Sequence, residues 1–379
     1  MITRDDVIST LQGVRDPELG GNIVELGMVT DVEVVDASVV VGIALTVAEC
    51  PLRNQIEGDA RRRVESMPGV DQVEIRTTAM TKKQRAGLMS VARAKAREGA
   101  EATQVGPATR VVAVGSGKGG VGKSSISVNV AVALARSGYR VGLLDADIWG
   151  FSTPRMLGVE DRLEADGDSK LIVPVMAQGV KLVSTGLIIE TEETALMWRG
   201  LMLSKALEQF LKQVEWGELD YLIIDLPPGT GDIQMALTRM LPQAEMVVVT
   251  TPQRAAQKVA VRVADMARRS HMPIVGVIEN MAGLACECGR VHDVFGSGGG
   301  AELAGDLGVP LIASIPLDPE VVPGGDHGVP VVTTTGGSAA GAALRDAAAT
   351  LTRLLPPADM ETCTGRIAKI LTELEELPA

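Results

Sequence analysis

The chain has 379 residues, of which 46% are hydrophobic and 22% charged, a balance typical of globular proteins. At about 150 residues per domain, this length predicts two or three domains. The net charge of −12 argues against nucleic acid as a partner, and the 2% of aromatic residues argues against base stacking. Apolar runs stay shorter than the ~18 residues of a membrane span, and the N-terminal segment lacks a signal-like apolar stretch. We therefore expect a cytoplasmic protein that binds neither membrane nor nucleic acid.

Residues 1–80 predict a small α+β domain. A polar start followed by spaced apolar residues favours a helix over residues 3–12. Two strands, a second helix and a third strand follow, at residues 27–34, 38–46, 52–67 and 73–76. Cys50 lies between the second strand and the second helix, where a helix N-terminus lowers the pKa of a thiol. A buried structural cysteine is the alternative.

Three motifs of this region resemble the MIP18 (DUF59) family, which is associated with iron–sulfur cluster assembly. They are DPELG at residues 16–20, LGMV at 26–29 and T-x-x-x-C-P at 46–51. The resemblance implies a role for Cys50 in cluster capture or transfer. Asp16 and Glu18 match the acidic motif of the family, although turn and capping roles account for them equally well.

Residues 81–107 predict a linker, rich in Lys, Arg, Ala, Glu and Gln and closed by Gly106-Pro107. The charges are typical of a solvated surface, with a specific binding role as the alternative. From 108 to about 355, strands alternate with helices, as in a mostly parallel sheet with helices on both faces. The seven predicted strands are residues 111–114, 141–144, 182–184, 221–224, 246–249, 273–278 and 310–315.

A phosphate loop of the pattern G-x-x-x-x-G-K-[ST] follows the first of these strands and precedes a predicted helix over 125–136. Backbone N–H groups of the loop surround phosphate oxygens, Lys123 supplies charge for the β- and γ-phosphates, and Ser124 ligates Mg²⁺. A nucleoside triphosphate such as ATP is the predicted ligand. The predicted nucleotide-binding residues of the loop are Gly117, Lys118, Gly119, Gly120, Val121, Gly122, Lys123, Ser124 and Ser125.

Acidic residues end two of the other predicted strands, at the edge where nucleotide binds in such sheets. Asp145 and Asp147 follow the strand at 141–144, and Asp225 ends an apolar run like that of a Walker B strand. We predict that Asp145 and Asp225 help Ser124 to hold Mg²⁺, and that Asp147 orients the attacking water. Turn and capping chemistry is the alternative for Asp145 and Asp147.

Lys118 is a second lysine, five positions before Lys123, and a phosphate loop requires only one. The resulting G-K-G-G-x-G-K-[ST] resembles the deviant Walker A ATPases, the class of MinD, ParA and nitrogenase iron protein. That resemblance implies a homodimer in which Lys118 reaches the nucleotide of the partner subunit, as an arginine finger does. The catalytic set is then Lys118, Lys123 and Asp147. The alternative is that Lys118 is merely solvent-exposed.

Further motifs resemble the Mrp/NBP35 (ApbC) family of iron–sulfur carrier ATPases, in which an N-terminal MIP18-like domain also occurs. They lie at residues 116–124, 143–150, 198–200, 216–234, 247–253, 277–281, 295–300 and 315–319. The family's IYGPS and WRGPM sequences are altered here, at Trp149, Phe151 and Leu201. The resemblance implies that the Asn280 amide recognises adenine and that Asp318 lies near the base. A strand-end capping role is the alternative for Asn280.

Cys286 and Cys288 form a C-x-C pair where that family carries C-x-x-C. The resemblance implies that two thiols from each subunit supply the four thiolates of a [4Fe–4S] cluster that bridges a homodimer. Zinc held with His292, or no metal, are the alternatives. Cys363 lies in an acidic tail at 356–379 and is assigned no role.

The sequence thus predicts an ATP-hydrolysing iron–sulfur carrier that works between a scaffold and recipient apoproteins. The rivals are an ATP-dependent electron donor like nitrogenase iron protein and a positioning ATPase like MinD or ParA. The acidic tail, which anionic lipid repels, disfavours the last of these.

Overall fold

The structure is a computed structural model that describes most of the chain as two compact units, residues 1–99 and 100–379. The described residues are 2–14, 16, 21–45, 53–81, 84, 87–88, 101–148, 150–188, 200–229, 231–286, 290–334 and 338–357, without the side chains of 200–203. Several sequence predictions fall outside them. These concern Glu18, Cys50, Cys288, Cys363, most of the linker and most of the acidic tail.

In the described residues of the first unit, the helices α1 and α2 pack against a three-stranded sheet. In chain order its elements are α1 (Arg4–Leu11), β1 (Val29–Val35), β2 (Ser38–Leu45), α2 (Arg53–Glu65) and β3 (Gln72–Ala79). Strand β2 is central, antiparallel to β1 and parallel to β3. The apolar spacing that predicts the helices puts Val7 and Leu11 of α1 in the core with Ile56 of α2. Thr3 caps α1 through a reciprocal capping box with Asp6.

The second unit is built on an eight-stranded sheet with the order β15-β12-β11-β4-β10-β5-β9-β8. All neighbouring strands run parallel except β8, which is antiparallel to β9 at one edge. The strands of this sheet are β4 (Arg110–Ser116), β5 (Val141–Asp145), β8 (Val175–Ala177), β9 (Val180–Ser184), β10 (Tyr221–Asp225), β11 (Glu245–Thr250), β12 (Ile274–Glu279) and β15 (Leu311–Ser314). Two short hairpins supply the other strands, β6 (Glu164–Ala165) with β7 (Ile172–Val173) and β13 (Leu284–Ala285) with β14 (Val291–His292).

Helices cover both faces of this sheet. They are α3 (Lys123–Arg136), α4 (Thr153–Leu157), α5 (Gly200–Gln213), α6 (Gly231–Met240), α7 (Arg254–Arg269), α8 (Gly299–Leu307), α9 (Val321–Asp326) and α10 (Ala339–Leu354). Alternate residues of the central strand enter two separate cores. Val111 and Ala113 of β4 pack with α5 to α8, whereas Val112 and Val114 pack with α3 and α10.

All seven predicted strands of the second unit lie in this sheet, which confirms the predicted fold class. The sequence does not predict β8 or the two hairpins, because strands of two or three residues show too little alternation to recognise. Within the described residues, none of the helices is long and apolar enough to cross a membrane.

Candidate functional site

The phosphate loop joins the end of β4 to the start of α3, at the carboxyl edge of the sheet. Two of its glycines are required by close approaches. A Cβ on Gly122, which has φ of +78°, would lie 2.2 Å from Nδ2 of Asn280. A Cβ on Gly117 would lie 2.5 Å from the backbone of Val259 and Ala260 in α7. The loop is therefore wedged between α7 and the segment after β12, where a larger residue does not fit.

Three side chains of α3 converge on Asp225 at the end of β10. The Lys123 Nζ lies 2.7 Å from Oδ1, and the Ser127 hydroxyl donates to the same oxygen at 2.7 Å. The Ser124 hydroxyl donates to Oδ2 at 2.6 Å. Lys123 is 6% exposed and Asp225 0%. Because burial penalises unpaired charge, the Lys123 ammonium and the Asp225 carboxylate neutralise each other, and the two hydroxyls satisfy the carboxylate oxygens by hydrogen bonding.

Ser127 was not predicted as a site residue, since it lies outside the phosphate-loop motif. Its position four residues after Lys123 places it on the same face of α3, and this spacing is the signal that would have found it. The predicted site residues Lys123 and Ser124 both lie within hydrogen-bond distance of the predicted site residue Asp225.

Asp145 is the cross-strand neighbour of Asp225 and is 0% exposed. Its Oδ2 accepts hydrogen bonds from the hydroxyls of Thr153, at 2.8 Å, and Ser184, at 3.4 Å. Backbone N–H groups at the start of α4 and at Asp147 also donate to this carboxylate. Burial, with the negative charge of Asp225, raises the pKa of Asp145 to about 7. Asp145 thus anchors α4 to the sheet beside the predicted magnesium ligands, and its own role as a ligand stays a prediction.

Asp147 and Lys118 line a cavity of about 230 Å³ together with Lys123, Ser124 and Pro228. The Asp147 Oδ1 accepts the Gly150 N–H at 3.2 Å. The structure therefore brings all three predicted catalytic residues to one cavity. Water orientation by Asp147 stays a prediction.

The side chain of Lys118 is half-buried, and its Nζ lies 3.1 Å from Oε1 of Gln253. Gln253 immediately precedes α7. It belongs to the 247–253 motif, but its contact with Lys118 depends on tertiary structure and was not predicted.

A second cavity, of about 120 Å³, adjoins the loop on the side where the adenine was predicted to bind. It is lined by Gly122, Ser125, Ile126, Asn280, Met281, Ile315, Pro316, Leu317, Asp318, Val321, Val322 and Leu344. The Asn280 Nδ2 donates to the Val121 carbonyl at 2.9 Å, so the amide also pins the phosphate loop.

Asp318 lies in the lining of this base-side cavity but is hydrogen-bonded within the protein. Its carboxylate accepts from the Ser338 hydroxyl at 2.7 Å and from the N–H groups of Ala340 and Glu320. Burial raises the pKa of Asp318, but these hydrogen bonds outweigh burial and leave the pKa below its usual value. Asp318 therefore ties the segment after β15 to the start of α10, and its contact with a base stays a prediction.

Cys286 is exposed and follows β13 at the end of the hairpin formed with β14. Its N–H donates to the Arg290 carbonyl at 2.8 Å, which closes the hairpin. His292 lies opposite Leu284 in β14. Cys288 is outside the described residues, and no metal-binding group of three His, Cys, Asp or Glu residues occurs within the described part of the chain. The cluster at this pair, with zinc and no metal as its alternatives, stays a prediction.

Backbone hydrogen bonds connect the base of this hairpin to the base-side cavity. The Ala282 N–H donates to the Ile315 carbonyl at 2.9 Å, and the Leu317 N–H donates to the Gly283 carbonyl at 2.8 Å. Ile315 and Leu317 both line the cavity. One short segment thus leads from Asn280 at the cavity to Cys286 in the hairpin.

In the first unit, Asp16 is buried, and its N–H donates to the Gly21 carbonyl at 2.9 Å. The burial of Asp16 and this backbone hydrogen bond are consistent with the structural alternative for Asp16. Residues 46–52, with Cys50, lie outside the described residues.

In this parallel sheet a phosphate loop follows the central strand, and an aspartate of the adjacent strand pairs with the loop lysine. These features define a P-loop NTPase. The sequence profile of the NUBPL iron-transfer P-loop NTPase family matches residues 108–352. A second profile, described as iron-sulfur cluster assembly protein, matches residues 4–77. The chain belongs to the NUBPL iron-transfer P-loop NTPase family, and the predicted resemblance to iron–sulfur carrier ATPases is confirmed.

Relatives match along nearly the whole chain. An iron-sulfur cluster carrier protein of Synechocystis sp. is 41% identical over 349 residues, covering 91% of this chain and 95% of its own. One of Mycobacterium tuberculosis is 44% identical over 348 residues, covering 90% and 91%. A solved nucleotide-binding protein of Archaeoglobus fulgidus, in complex with ADP, has a TM-score of 0.52 and 34% identity, covering 63% of this chain and 92% of its own.

Proposed function

We propose that this protein is an ATP-dependent iron–sulfur cluster carrier that acts as a homodimer. The observation that carries the proposal is the continuity of residues 280–286 from the base-side cavity to the exposed Cys286. A change in this segment on nucleotide binding is transmitted to a thiol in the same short stretch of backbone. The iron-sulfur cluster carrier proteins of other organisms, which are 41% and 44% identical to this chain over the aligned residues, support the same function.

Nucleotide binding requires Lys123 to exchange one anionic partner for another. Its ammonium pairs with Asp225 in the structure, and the β- and γ-phosphates of ATP offer more negative charge at the mouth of the same loop. The freed Asp225 carboxylate and the Ser124 hydroxyl, 2.6 Å apart, are the hard oxygen donors that fit Mg²⁺. Bound Mg²⁺ supplies electrostatic stabilisation of the transferring phosphoryl group.

Hydrolysis then depends on residues that line the cavity beside these ligands. Asp147 orients the attacking water, and Asp145 holds the start of α4 against the sheet. Lys118 contacts the nucleotide of the partner subunit, which makes the site incomplete in a single chain. ATP binding therefore favours the paired state, and hydrolysis releases it.

The cargo is held by Cys286 and Cys288, which contribute two thiolates from each subunit to a bridging [4Fe–4S] cluster. A cluster shared between subunits is exposed or released when the pair changes its geometry. Cys50 of the first unit assists capture or transfer to the recipient apoprotein.

The test is anaerobic reconstitution of the purified full chain with ferrous iron and sulfide. We expect a brown protein with about four irons and four sulfides per pair of chains, and with a broad charge-transfer band in its visible absorption spectrum. On mixing with the apo form of a [4Fe–4S] dehydratase, the dehydratase gains activity as the carrier loses its absorption. Loss of reducing equivalents without loss of iron would instead identify an electron donor.

The matched variants are Cys286→Ala, Cys288→Ala and Cys363→Ala, which each remove one thiol. Only the first two remove thiols proposed to hold the cluster, so only they should abolish iron binding. Iron binding that survives both of those substitutions together contradicts the proposal, as does a wild-type chain that takes up no iron.

A further inference from the structure

Lys118 is held on its own subunit by Gln253. The distance from Nζ to Oε1 is 3.1 Å, and the half-buried position of both side chains limits competition from water. The backbone of Lys118 is restrained as well, because the Ser116 hydroxyl donates to its carbonyl at 3.1 Å.

The position of α7 explains why Gln253 can reach this lysine. Gly117 packs so tightly on Val259 and Ala260 that no Cβ fits between the loop and the helix. Lys118 therefore starts at the surface of α7, and its side chain reaches the residue that precedes the helix.

The side chain of Gln253 does not cap the helix that follows it. It stands at the N-cap of α7 with extended backbone, but its side chain makes no capping hydrogen bond. Helix N-caps ordinarily use short side chains that reach back to the first turn. The amide oxygen of Gln253 instead accepts from Lys118, so its replacement removes that contact without removing a cap.

We propose that Gln253 is a positioning residue that holds Lys118 in a resting position until two subunits pair around ATP. The inference rests on the proposed role of Lys118 in the partner's site. On pairing, the lysine exchanges the amide oxygen of Gln253 for phosphate oxygens of the partner's nucleotide. A neutral acceptor suits this task, because it orients the ammonium but holds it less strongly than a carboxylate would.

The experiment measures pairing of the full-length chain with Mg²⁺ and a non-hydrolysable ATP analogue by sedimentation velocity. Gln253→Ala frees Lys118 in both subunits, so half-maximal pairing should need about ninefold less protein, about threefold for each of the two hydrogen bonds that a pair gives up. Gln253→Glu turns the contact into an ion pair, so half-maximal pairing should need about tenfold more. The two substitutions thus shift pairing in opposite directions, which a purely structural role of Gln253 does not predict.

Arg254→Gln is the matched control for Gln253→Glu. It makes the charge more negative by one unit at the next residue, which is exposed and is assigned no role in the site. Its effect on pairing should be well below that of Gln253→Glu. An equal effect overturns the proposal, because added negative charge at the start of α7 would then explain the weaker pairing without any contact to Lys118.

A second series in the Lys118→Ala background separates this inference from the proposed function. Gln253→Ala and Gln253→Glu should each lose their effect on pairing there, since the group they act on is gone. If Lys118→Ala hydrolyses ATP normally, the role of Lys118 in trans is wrong and the inference fails with it. If Lys118→Ala is impaired but the Gln253 variants pair like the wild type, only the inference fails.

Discussion

Asp225 has two proposed roles that it cannot perform at the same time. It neutralises Lys123 inside the protein, and it is the proposed magnesium ligand once Lys123 pairs with the phosphates of bound nucleotide. The ion pair therefore keeps the phosphate-binding ammonium of Lys123 neutralised in a buried region, where an unpaired ammonium would be costly. The hydroxyls of Ser124 and Ser127 occupy both carboxylate oxygens, which fixes the orientation of Asp225.

Asp225→Asn should destabilise the second unit in the absence of nucleotide. The amide keeps the shape of the side chain but leaves the buried Lys123 ammonium without a counter-charge, which typically costs about 3–5 kcal/mol. The free energy of unfolding of that unit, measured by urea denaturation, should fall by this order.

Lys123→Met tests the same pair from the other side. The double variant with Asp225→Asn should recover part of the loss, because neither charge then remains buried alone. If each single variant costs less than about 1 kcal/mol, the pair is screened by solvent and its proposed cost of separation is wrong.

At this scale the sequence predicts residues within local motifs and misses those that depend on packing. Lys123 and Ser124 follow from a motif of eight residues, and Asp225 from its place at a strand end. Gln253 is far from Lys118 in sequence, and only the approach of α7 to Gly117 brings the two together. The hydrogen bonds of Asp145 to Thr153 and Ser184 were not predicted for the same reason.

In the proposed function, the hairpin of β13 and β14 is the element that connects the nucleotide site to the cluster. Gly283 begins it with φ of +76°, and a Cβ there would lie 2.8 Å from Cγ1 of Val291 on the opposite strand. Val291 is 66% exposed, so it contributes little to the core and its contact with Gly283 is local. Gly283 therefore controls the conformation of the hairpin without supporting the sheet.

Gly283→Ala should weaken the hold of the hairpin on the cluster. The positive φ and the contact with Val291 together impose strain of about 1–3 kcal/mol, which the hairpin relieves by moving. We expect iron to pass to a chelator several-fold faster from the reconstituted variant. Release is followed by the fall in visible absorption.

Gly305→Ala is the control, because it adds the same methyl group within α8 where a Cβ meets open space. It should leave iron release unchanged. Val291→Ala added to Gly283→Ala removes the steric contact but not the φ strain, and should restore part of the retention. Wild-type retention by Gly283→Ala would show that the hairpin conformation does not govern the cluster.

The long elements of the second unit are predictable because each one repeats its pattern. Strands such as β10 are apolar throughout, as burial on both faces of a parallel sheet requires. The hairpin has two residues in each strand, and the residues just before it form backbone hydrogen bonds with Ile315 and Leu317. No local periodicity records such a contact.

We propose that the two units of the chain divide the tasks, with nucleotide bound by residues 100–379 and cluster delivery assisted by residues 1–99. Each unit has its own hydrophobic core, one formed by α1, α2 and the three-stranded sheet and the other by the two faces of the large sheet. The described residues around the phosphate loop and the base-side cavity all belong to residues 100–379. The boundary predicted at residues 81–107 is proposed as the junction between the two tasks.

Removal of residues 1–99 should therefore leave ATP binding intact while slowing cluster transfer. Because domains with separate cores fold independently, the dissociation constant for ATP should stay within about twofold of the full chain, measured by calorimetric titration. Transfer to the apo-dehydratase should slow several-fold, and Cys50→Ala in the full chain should reproduce most of that decrease if the thiol is what the first unit contributes. A truncated protein that binds ATP more than about tenfold more weakly would place part of the nucleotide site in the first unit. Full-rate transfer by the truncated protein would remove the first unit from delivery.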